Sequence, residues 1–230
     1  MCGIVGYIGN NQAAPFLLDG MSKLEYRGYD SAGIAVYEKG KITVEKCVGR
    51  LDSLRQKLDG HMPEGTMGIG HTRWATHGRP SDRNSHPHTD ASGEFVVVHN
   101  GIIENYLVLK EDLIAKGHKF VSETDTEVVA HLMAAYYDGD FEETVKRVLR
   151  VIDGSYSLVF MCAKEPEKII CTKKDNPLVI GLGEGENFIA SDIPAIIAKT
   201  RRTFIMSDGE IATVTKDKCL GTGYKWNTDQ

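Results

Sequence analysis

MCGIVGYIG, at residues 1–9, is the stretch that most directly decides how this chain begins to fold. Apolar side chains run between glycines through residues 3–9, and a short apolar run of this kind is typical of a buried strand. Most chain termini fray, but a terminus that leads into a buried strand is held in place. We therefore predict a strand over residues 3–9 that fixes the position of Cys2.

The rest of the chain shows helical and strand-like patterns in an order that indicates the fold class. Residues 33–49 predict a hairpin with a tight turn at Lys39-Gly40. Further helices are predicted over 12–25, 51–58, 105–116, 125–138 and 141–152, and further strands over 66–74, 93–101, 155–162, 167–173, 177–182, 186–191, 203–207 and 210–216. Strands towards both ends with helices between them favour an α+β fold in which antiparallel sheets pack against helices in layers. We expect one domain over residues 1–220 and a tail or severed linker over 221–230.

Composition excludes several classes of protein. The 230 residues include 41% hydrophobic and 26% charged side chains, as in ordinary globular proteins, and the net charge of −5 argues against a nucleic-acid binder. The sequence has no apolar run of about 18 residues and no signal-peptide pattern at its start, so we expect no membrane segment. The five cysteines are widely spaced and form no CxxC pair, which argues against disulfides and structural zinc and favours the reducing cytoplasm.

A dense polar stretch, HTRWATHGRPSDRNSHPH at residues 71–88, contains four of the eight histidines and three arginines. A metal site is one interpretation, but Pro87 interrupts the HPH motif and no carboxylate or cysteine has recognisable ligand spacing, so we expect no metal or other cofactor. A polar loop that satisfies its own backbone is the second interpretation. The third is an anion site in which Arg73 binds a carboxylate through two parallel hydrogen bonds. Composition does not separate the last two.

Two further motifs each allow a structural and a functional interpretation. In VVVHNGIIEN (96–105), an apolar strand runs into Asn100-Gly101. One interpretation of this pair is a hairpin turn, for which Asn-Gly is a common signal. Alternatively, the Asn100 side-chain amide and a backbone N–H provide the two donors that an oxyanion hole needs. The helical pattern that follows argues against the hairpin. In SETDTE (122–127), Asp125 either caps the next helix or accepts the α-ammonium group of an amino acid.

Cys2 is a candidate nucleophile if Met1 is removed, as we expect before a small second residue. The thiol and the new α-amino group then belong to one residue. A free α-amine titrates near ~7.7–8.0 and a thiol near ~8.5, so the neutral amine can accept the thiol proton without a separate histidine. The alternative is a small residue that merely occupies the start of the chain.

Several ordered stretches together resemble one family. The chain contains MCGIVGYIG, LEYRGYDSAGIAV, HTRWATHG, HPH, VVVHNGIIEN, SETDTEV and PLVIGLGEGENFIASD. These are similar to the N-terminal glutaminase domain of the glucosamine-6-phosphate synthases, which are class II N-terminal-nucleophile glutamine amidotransferases. The resemblance extends from residue 2 to about residue 215. It implies a four-layer αββα sandwich with two mainly antiparallel sheets between helical layers.

The resemblance also implies a role for individual residues in glutamine hydrolysis. Cys2 would be the nucleophile, and Asn100 and Gly101 would form the oxyanion hole. Arg73, helped by Thr76 and His77, would bind the substrate α-carboxylate, and Asp125 would accept the substrate α-ammonium group. Trp74 would be a loop residue that closes the site and reaches the partner domain. Arg27 and Gly28 would position the nucleophile.

Finally, the resemblance implies a reaction and its partners. L-Glutamine is hydrolysed to glutamate and ammonia through a γ-glutamyl thioester. Sugar isomerase domains, which this sequence does not contain, use the ammonia to convert fructose 6-phosphate to glucosamine 6-phosphate. A homodimer is compatible with the full-length enzyme. Two alternatives stay open, namely a non-catalytic module that binds glutamine and an amidotransferase domain that serves a different acceptor.

Overall fold

The computed structural model describes residues 2–75 and 78–222. Its strands and α-helices follow the order β1 (Gly3–Gly9), α1 (Ala13–Ser22), β2 (Ser31–Glu38), β3 (Lys41–Val48), α2 (Leu51–Lys57), β4 (Met67–Arg73), β5 (His88–Thr89), β6 (Phe95–Ile103), α3 (Tyr106–Ala115), α4 (Glu127–Tyr136), α5 (Phe141–Leu149), β7 (Gly154–Cys162), β8 (Ile169–Lys174), β9 (Val179–Leu182), β10 (Glu186–Ala190), β11 (Thr203–Ile205), β12 (Ile211–Val214) and β13 (Cys219–Thr222). Short 3₁₀ helices lie at Glu25–Arg27, Asp82–Asn84 and Ile193–Ala195.

These strands form two antiparallel sheets. The first sheet has the order β11-β9-β10-β1-β4-β2-β3, and the second has the order β13-β12-β8-β7-β6-β5. β1 lies inside the first sheet between β10 and β4, with Gly3 opposite Thr72. In the second sheet, β6 pairs with β7 along its whole length, through Asn100 and Gly101 to Ile103.

Alternating side chains pack the two sheets into four layers. Val5 and Tyr7 of β1 belong to a core with α1 and α2, whereas Ile4 and Ile8 belong to the core between the sheets. This alternation is the period of two that a strand buried on both faces must show. On the far side of the second sheet, alternate residues of β6 and β7 share a third core with α3, α4 and α5. The αββα sandwich with two antiparallel sheets is therefore confirmed.

Most of the predicted elements are present, and the main exception concerns β6. The Lys39-Gly40 turn joins β2 and β3 as predicted. By contrast, the prediction ended β6 at Gly101, whereas the strand continues to Ile103 before α3 begins. The Asn-Gly pair is therefore neither a hairpin turn nor the end of a strand. Gly101 has a φ of +125°, a conformation that glycine tolerates and other residues rarely adopt.

The last strand also differs from the prediction. β13 pairs with β12, with Gly221 opposite Ala212, so the second sheet extends to Thr222. The predicted tail at 221–230 thus begins inside a strand. Residues 223–230 lie outside the described part of the chain.

The cysteines and the helices relate to two expectations from composition, about disulfides and about membrane segments. The free cysteines are Cys2, Cys47, Cys162, Cys171 and Cys219, and the last three are buried. No helix in the described part of the chain is long and apolar enough to cross a membrane. Because all five cysteines are free, no disulfide among them joins the four layers.

Candidate active site

A cavity of about 390 Å³ opens where the start of β1 meets β4 and β6. Groups from both sheets converge there, although they are far apart in the sequence. The predicted site residues that line the cavity are Cys2, Arg27, Arg73, Trp74, Asn100, Gly101 and Asp125. Gly28 packs against the backbone of Arg73. Thr76 and His77 lie outside the described residues, so their roles stay predictions.

Backbone contacts hold Cys2 at this cavity. β1 begins at the next residue, and Gly3 pairs with Thr72 of β4. The Trp74 N–H donates to Cys2 Sγ over 3.2 Å, and Sγ lies 3.5 Å from the Trp74 carbonyl oxygen. Burial raises the pKa of the Cys2 thiol, while the hydrogen bond from Trp74 acts in the opposite direction. The thiol is therefore fixed in position and requires a base before it can act as a nucleophile.

Residues of the EYRGYD segment hold the backbone that follows β4. A Cβ on Gly28 would lie 2.6 Å from the Arg73 carbonyl carbon and 2.8 Å from the Trp74 nitrogen. The Asp30 N–H donates to the Arg73 carbonyl oxygen over 3.1 Å, and the Asp30 carboxylate accepts the N–H of Ala75. Gly28 and Asp30 thus shape the backbone on either side of Trp74, whose N–H contacts the Cys2 thiol. The role of Gly28 in positioning the nucleophile stays a prediction.

Arg27 lines the cavity through a different network. Its Nη2 binds Asp192 over 2.8 Å, and its Nε donates to the Tyr26 hydroxyl over 3.3 Å. Asp192 also accepts the Ile193 N–H over 2.8 Å, at the start of the 3₁₀ helix there. These contacts fix Arg27 as part of the wall. Its predicted role in positioning the nucleophile stays a prediction, since the named partners of Arg27 are Asp192 and Tyr26.

Asn100 points from β6 towards Cys2. Its Nδ2 donates to the Cys2 carbonyl oxygen over 3.0 Å, and its Oδ1 lies 3.0 Å from Nε2 of His71. At the next residue, a Cβ on Gly101 would lie 2.1 Å from the Ser155 carbonyl oxygen. β6 thus approaches β7 so closely that a side chain at Gly101 would collide with the backbone. The Asn100 amide therefore contacts the backbone of Cys2 and lines the same cavity, and its role in an oxyanion hole stays a prediction.

Arg73 and Asp125 place opposite charges in the cavity wall. Arg73 is the last residue of β4, is 3% exposed and donates from Nη2 to the Gly78 carbonyl oxygen over 2.9 Å. Asp125 is 4% exposed, and its Oδ2 accepts the Ile103 N–H over 2.8 Å. Burial lowers the pKa of the Arg73 guanidinium because it disfavours the charged form. An anionic ligand in the cavity would offset that penalty.

The structure decides against the capping interpretation of Asp125. α4 begins at Glu127, and its N-cap is Thr126, which makes no side-chain capping hydrogen bond. Glu127 accepts the N–H groups of Val121 and Ser122 over 2.8 and 2.7 Å and so holds the SETDTE segment. Asp125 lines the cavity instead, as the functional interpretation requires.

Further residues line the cavity that the sequence did not assign to the site. They are His86, His99, Ile102, Thr124, Thr126, Ser155, Asn176 and Pro177. Nδ1 of His99 lies 2.9 Å from Thr126 Oγ1 and 4.0 Å from Asp125 Oδ2. Burial lowers the pKa of His99, although Asp125 opposes the shift, so this ring is neutral near pH 7. The position of His99 beside Asn100 is a local signal for it, whereas Ser155 of β7 and Asn176, which follows β8, reach the cavity only through tertiary packing.

The histidine-rich stretch forms a packed cluster. His71 stacks on His86 with ring centroids 4.1 Å apart, and His86 meets the edge of His88 at 4.6 Å. Among the described residues, no group of three or more His, Cys, Asp or Glu side chains is arranged to hold a metal ion. His77 is not among those residues.

Comparison with known protein sequences points to amidotransferases. The model of a family described as "Glutamine amidotransferase domain" matches residues 71–198. Over 217 residues, the chain is 58% identical to the glutamine–fructose-6-phosphate aminotransferase [isomerizing] of Caldanaerobacter subterraneus subsp. tengcongensis and 56% identical to the protein of the same name from Clostridium tetani. Each match covers 94% of this chain and 36% of the relative. The chain therefore spans about a third of the length of these curated relatives.

Solved structures have the same fold. The glutamine phosphoribosylpyrophosphate amidotransferase from B. subtilis superposes with a TM-score of 0.83 at 26% identity, over 96% of this chain and 48% of that one. A glutamine aminotransferase class-II domain protein from Silicibacter pomeroyi gives a TM-score of 0.64 at 14% identity, over 96% of this chain and 98% of that one. The second likeness supports the fold alone.

Proposed function

The chain belongs to the glutamine amidotransferase domain family, and on this premise we propose that it hydrolyses L-glutamine to glutamate and ammonia with Cys2 as the nucleophile. One observation carries the proposal. Cys2 shares a single cavity with the Asn100 amide, which donates to the Cys2 carbonyl oxygen over 3.0 Å, and with the buried charges of Arg73 and Asp125. A nucleophile, an oxyanion donor and two anchors of opposite charge are the groups that hydrolysis of a free amino-acid amide needs.

Hydrolysis takes place in two halves. Once Met1 is removed, the α-amine of Cys2 takes the thiol proton, and the sulfur attacks the side-chain carbonyl carbon of glutamine. The amide oxygen becomes an oxyanion, which Asn100 Nδ2 and the Gly101 N–H stabilise. The protonated α-amine gives its proton to the leaving nitrogen, which departs as ammonia and leaves a γ-glutamyl thioester on Cys2. Water then attacks the thioester, glutamate is released and the thiol is restored.

Arg73 and Asp125 select free glutamine over glutamine in a peptide. The planar guanidinium of Arg73 binds the substrate α-carboxylate, helped by Thr76 and His77. The carboxylate of Asp125 binds the substrate α-ammonium group. A glutamine residue inside a peptide carries neither charge, so it could form an ion pair with neither of these two buried groups.

The ammonia has an acceptor on sugar isomerase domains that this sequence does not contain. The curated relatives are named for transfer to fructose 6-phosphate, and we extend that acceptor to this chain, with glucosamine 6-phosphate as the product. Trp74, which is half exposed beside the cavity, is placed to contact such a partner domain. The reaction would take place in the cytoplasm.

The test measures glutamate release by protein whose intact mass shows that Met1 has been removed. We expect turnover from the processed wild type and none from Cys2→Ala, with glutamine binding by Cys2→Ala retained. Cys47→Ala is the matched control, because it removes another partly buried thiol outside the cavity and should leave turnover unchanged. The proposal fails if the processed wild type releases no glutamate, or if Cys2→Ala turns over as the wild type does.

A further inference from the structure

His71 of the histidine-rich stretch contacts Asn100 of the site, although the proposed reaction does not use it. Nε2 of His71 lies 3.0 Å from Oδ1 of Asn100 and 3.0 Å from the His99 carbonyl oxygen. We propose that His71 is a positioning residue, which fixes the Asn100 amide with its NH₂ group towards Cys2 and thereby makes it an oxyanion donor. This inference rests on the proposed glutaminase activity.

Both partners of His71 Nε2 are acceptors, so this nitrogen must carry the hydrogen. The carbonyl of His99 and the amide oxygen Oδ1 of Asn100 can only accept. His71 is fully buried, and burial lowers the pKa of His71 to about 3, so the ring is neutral across the working pH range. A neutral ring carries one N–H, which these two acceptors share. His71 Nδ1 is therefore an unprotonated nitrogen, and it has no hydrogen-bond partner among the described residues.

The hydrogen bond from His71 decides which way the amide faces. Oδ1 of Asn100 points to His71, so Nδ2 is turned to the Cys2 carbonyl oxygen over 3.0 Å. An amide rotated by half a turn would set its oxygen against that carbonyl and its NH₂ group against the N–H of His71. The same rotated amide would also present an oxygen to the developing oxyanion, which is repulsive. His71 thus favours the orientation that stabilises the transition state.

Packing holds the His71 ring in place from behind. Residue 71 lies in the middle of β4, where it pairs with Ile4 of β1 and Gly33 of β2. The face of the His71 ring stacks on His86 at 4.1 Å with an angle of 18° between the planes. The ring therefore crosses from the first sheet to Asn100 in the second sheet with little freedom to turn.

The segment that carries His86 is itself anchored. Lys46 of β3 donates from Nζ to the carbonyl oxygens of Ser85 and Pro87 over 2.8 and 3.0 Å. A Cβ on Gly33 would lie 2.1 Å from the His86 carbonyl oxygen, so β2 meets this segment backbone to backbone. The cluster of His71 and His86 is therefore a buried support for the Asn100 amide.

The experiment compares His71→Met with His71→Gln in glutaminase assays. Methionine fills a similar volume but donates no hydrogen bond, whereas glutamine can place an amide NH₂ near the position of Nε2. One oxyanion donor contributes about 10²- to 10³-fold to kcat, so we expect His71→Met to lower kcat about 10- to 100-fold with little change in KM. His71→Gln should recover most of that loss. Urea denaturation confirms that each variant is folded at the assay temperature.

A double-mutant cycle tests whether His71 acts through Asn100. In an Asn100→Ala background, adding His71→Met should cause no further loss of kcat, because the amide that His71 orients is already gone. A further loss equal to that in the wild type would overturn the inference, as would wild-type kcat in His71→Met. If His71→Met folds poorly, His71→Gln tests the inference instead. A kcat in His71→Gln as low as that in Asn100→Ala would also overturn the inference. Inactivity of the processed wild type would instead refute the proposed function.

Discussion

β4 and β6 both bring polar residues to the same cavity, but the two strands do so in different ways. β4 ends at Arg73, and contacts with Gly28 and Asp30 shape the backbone beyond it. β6 continues to Ile103, and its polar groups are placed by a glycine with a φ of +125° and by hydrogen bonds from neighbouring side chains. Because one side of the site depends on contacts beyond the end of its strand and the other on the strand itself and its hydrogen bonds to the opposite sheet, substitutions on the two sides should have different consequences.

Gly101→Ala disrupts the β6 side and has the largest expected effect. The new Cβ would lie 2.1 Å from the Ser155 carbonyl oxygen, on a backbone with a φ of +125°. We expect the free energy of unfolding to fall by about 3 kcal/mol or more, with no measurable glutaminase activity. Urea denaturation measures the first quantity and glutamate release the second.

Gly93→Ala is the matched control for that variant. Gly93 precedes β6 and has a φ of +72°, but a Cβ added there would meet no atom within 4 Å. Its loss of stability should stay at about 1 kcal/mol, since only the backbone conformation is unfavourable. Equal losses for Gly93→Ala and Gly101→Ala would contradict the close approach of β6 to β7.

Asp125→Asn removes a charge near the β6 side while keeping an oxygen for the Ile103 N–H. We expect KM for glutamine to rise about 10- to 100-fold, because a hydrogen bond to a charged group contributes about 1.5–3 kcal/mol. The effect on kcat should be smaller, and steady-state kinetics separate the two. Asp112→Asn, on the exposed face of α3, should leave KM unchanged. An unchanged KM in Asp125→Asn would contradict its role as the anchor for the α-ammonium group.

The acid dependence of stability sharpens the comparison, because the side chain of His71 in β4 contacts Asn100 in β6. Burial lowers the pKa of His71 to about 3, whereas an unfolded histidine has a pKa of about 6.5. The unfolded chain therefore binds a proton that the folded chain does not. The stability that the neutral ring contributes is complete above pH ~6.5 and is lost as the pH falls towards 3.

His71→Gln should remove this one contribution. Below pH ~6.5 the wild type should lose about 1.4 kcal/mol per pH unit from His71 alone, so its stability should fall more steeply than that of the variant. Urea denaturation at several pH values gives both slopes. Above pH ~7.5, the difference between the two proteins should no longer change with pH. Parallel curves down to pH ~4 would contradict the neutral state of the buried ring.

Gly28→Ala disturbs the β4 side and has the smallest expected effect. Gly28 has a φ of −174°, which alanine adopts without strain, so the cost arises from contact with the Arg73 and Trp74 backbone. We expect a fall in kcat of about tenfold, equivalent to about 1.4 kcal/mol, through displacement of the Trp74 N–H from the thiol. Gly40→Ala, in the hairpin turn with no atom near its Cβ, should keep wild-type kcat. Equal kcat in Gly28→Ala and the wild type would show that the thiol does not depend on this contact.

Much of the fold could be predicted because its elements have local signatures. β1, the β2–β3 hairpin and the helices follow from periodicity and turn residues over a few neighbours. β5 and β13 were not predicted, since neither has an apolar pattern of its own and each is a strand only through its pairing with β6 or β12. The continuation of β6 was missed for a related reason. An Asn-Gly pair is the commonest signal of a turn, and only the backbone of β7 shows why this one is extended.

The candidate site was predicted in part. Three of the predicted residues lie in motifs that the family resemblance covers and line the cavity, namely Arg73, Asn100 and Asp125. The contact of His71 with Asn100 spans 29 residues and two sheets, so no local pattern could show it. Asp30 belongs to the LEYRGYDSAGIAV motif, but its contacts with the loop after β4 depend on tertiary packing.

The most direct measurement of the central claim is the site of the covalent intermediate. Processed wild-type protein is mixed with glutamine, quenched rapidly in acid and mapped by peptide mass spectrometry. We predict a γ-glutamyl adduct on the thiol of Cys2, in a peptide that begins at that residue, and its absence from Cys2→Ala. An adduct on another cysteine, or glutamate release by protein that still carries Met1, would contradict the assignment of Cys2 as an N-terminal nucleophile.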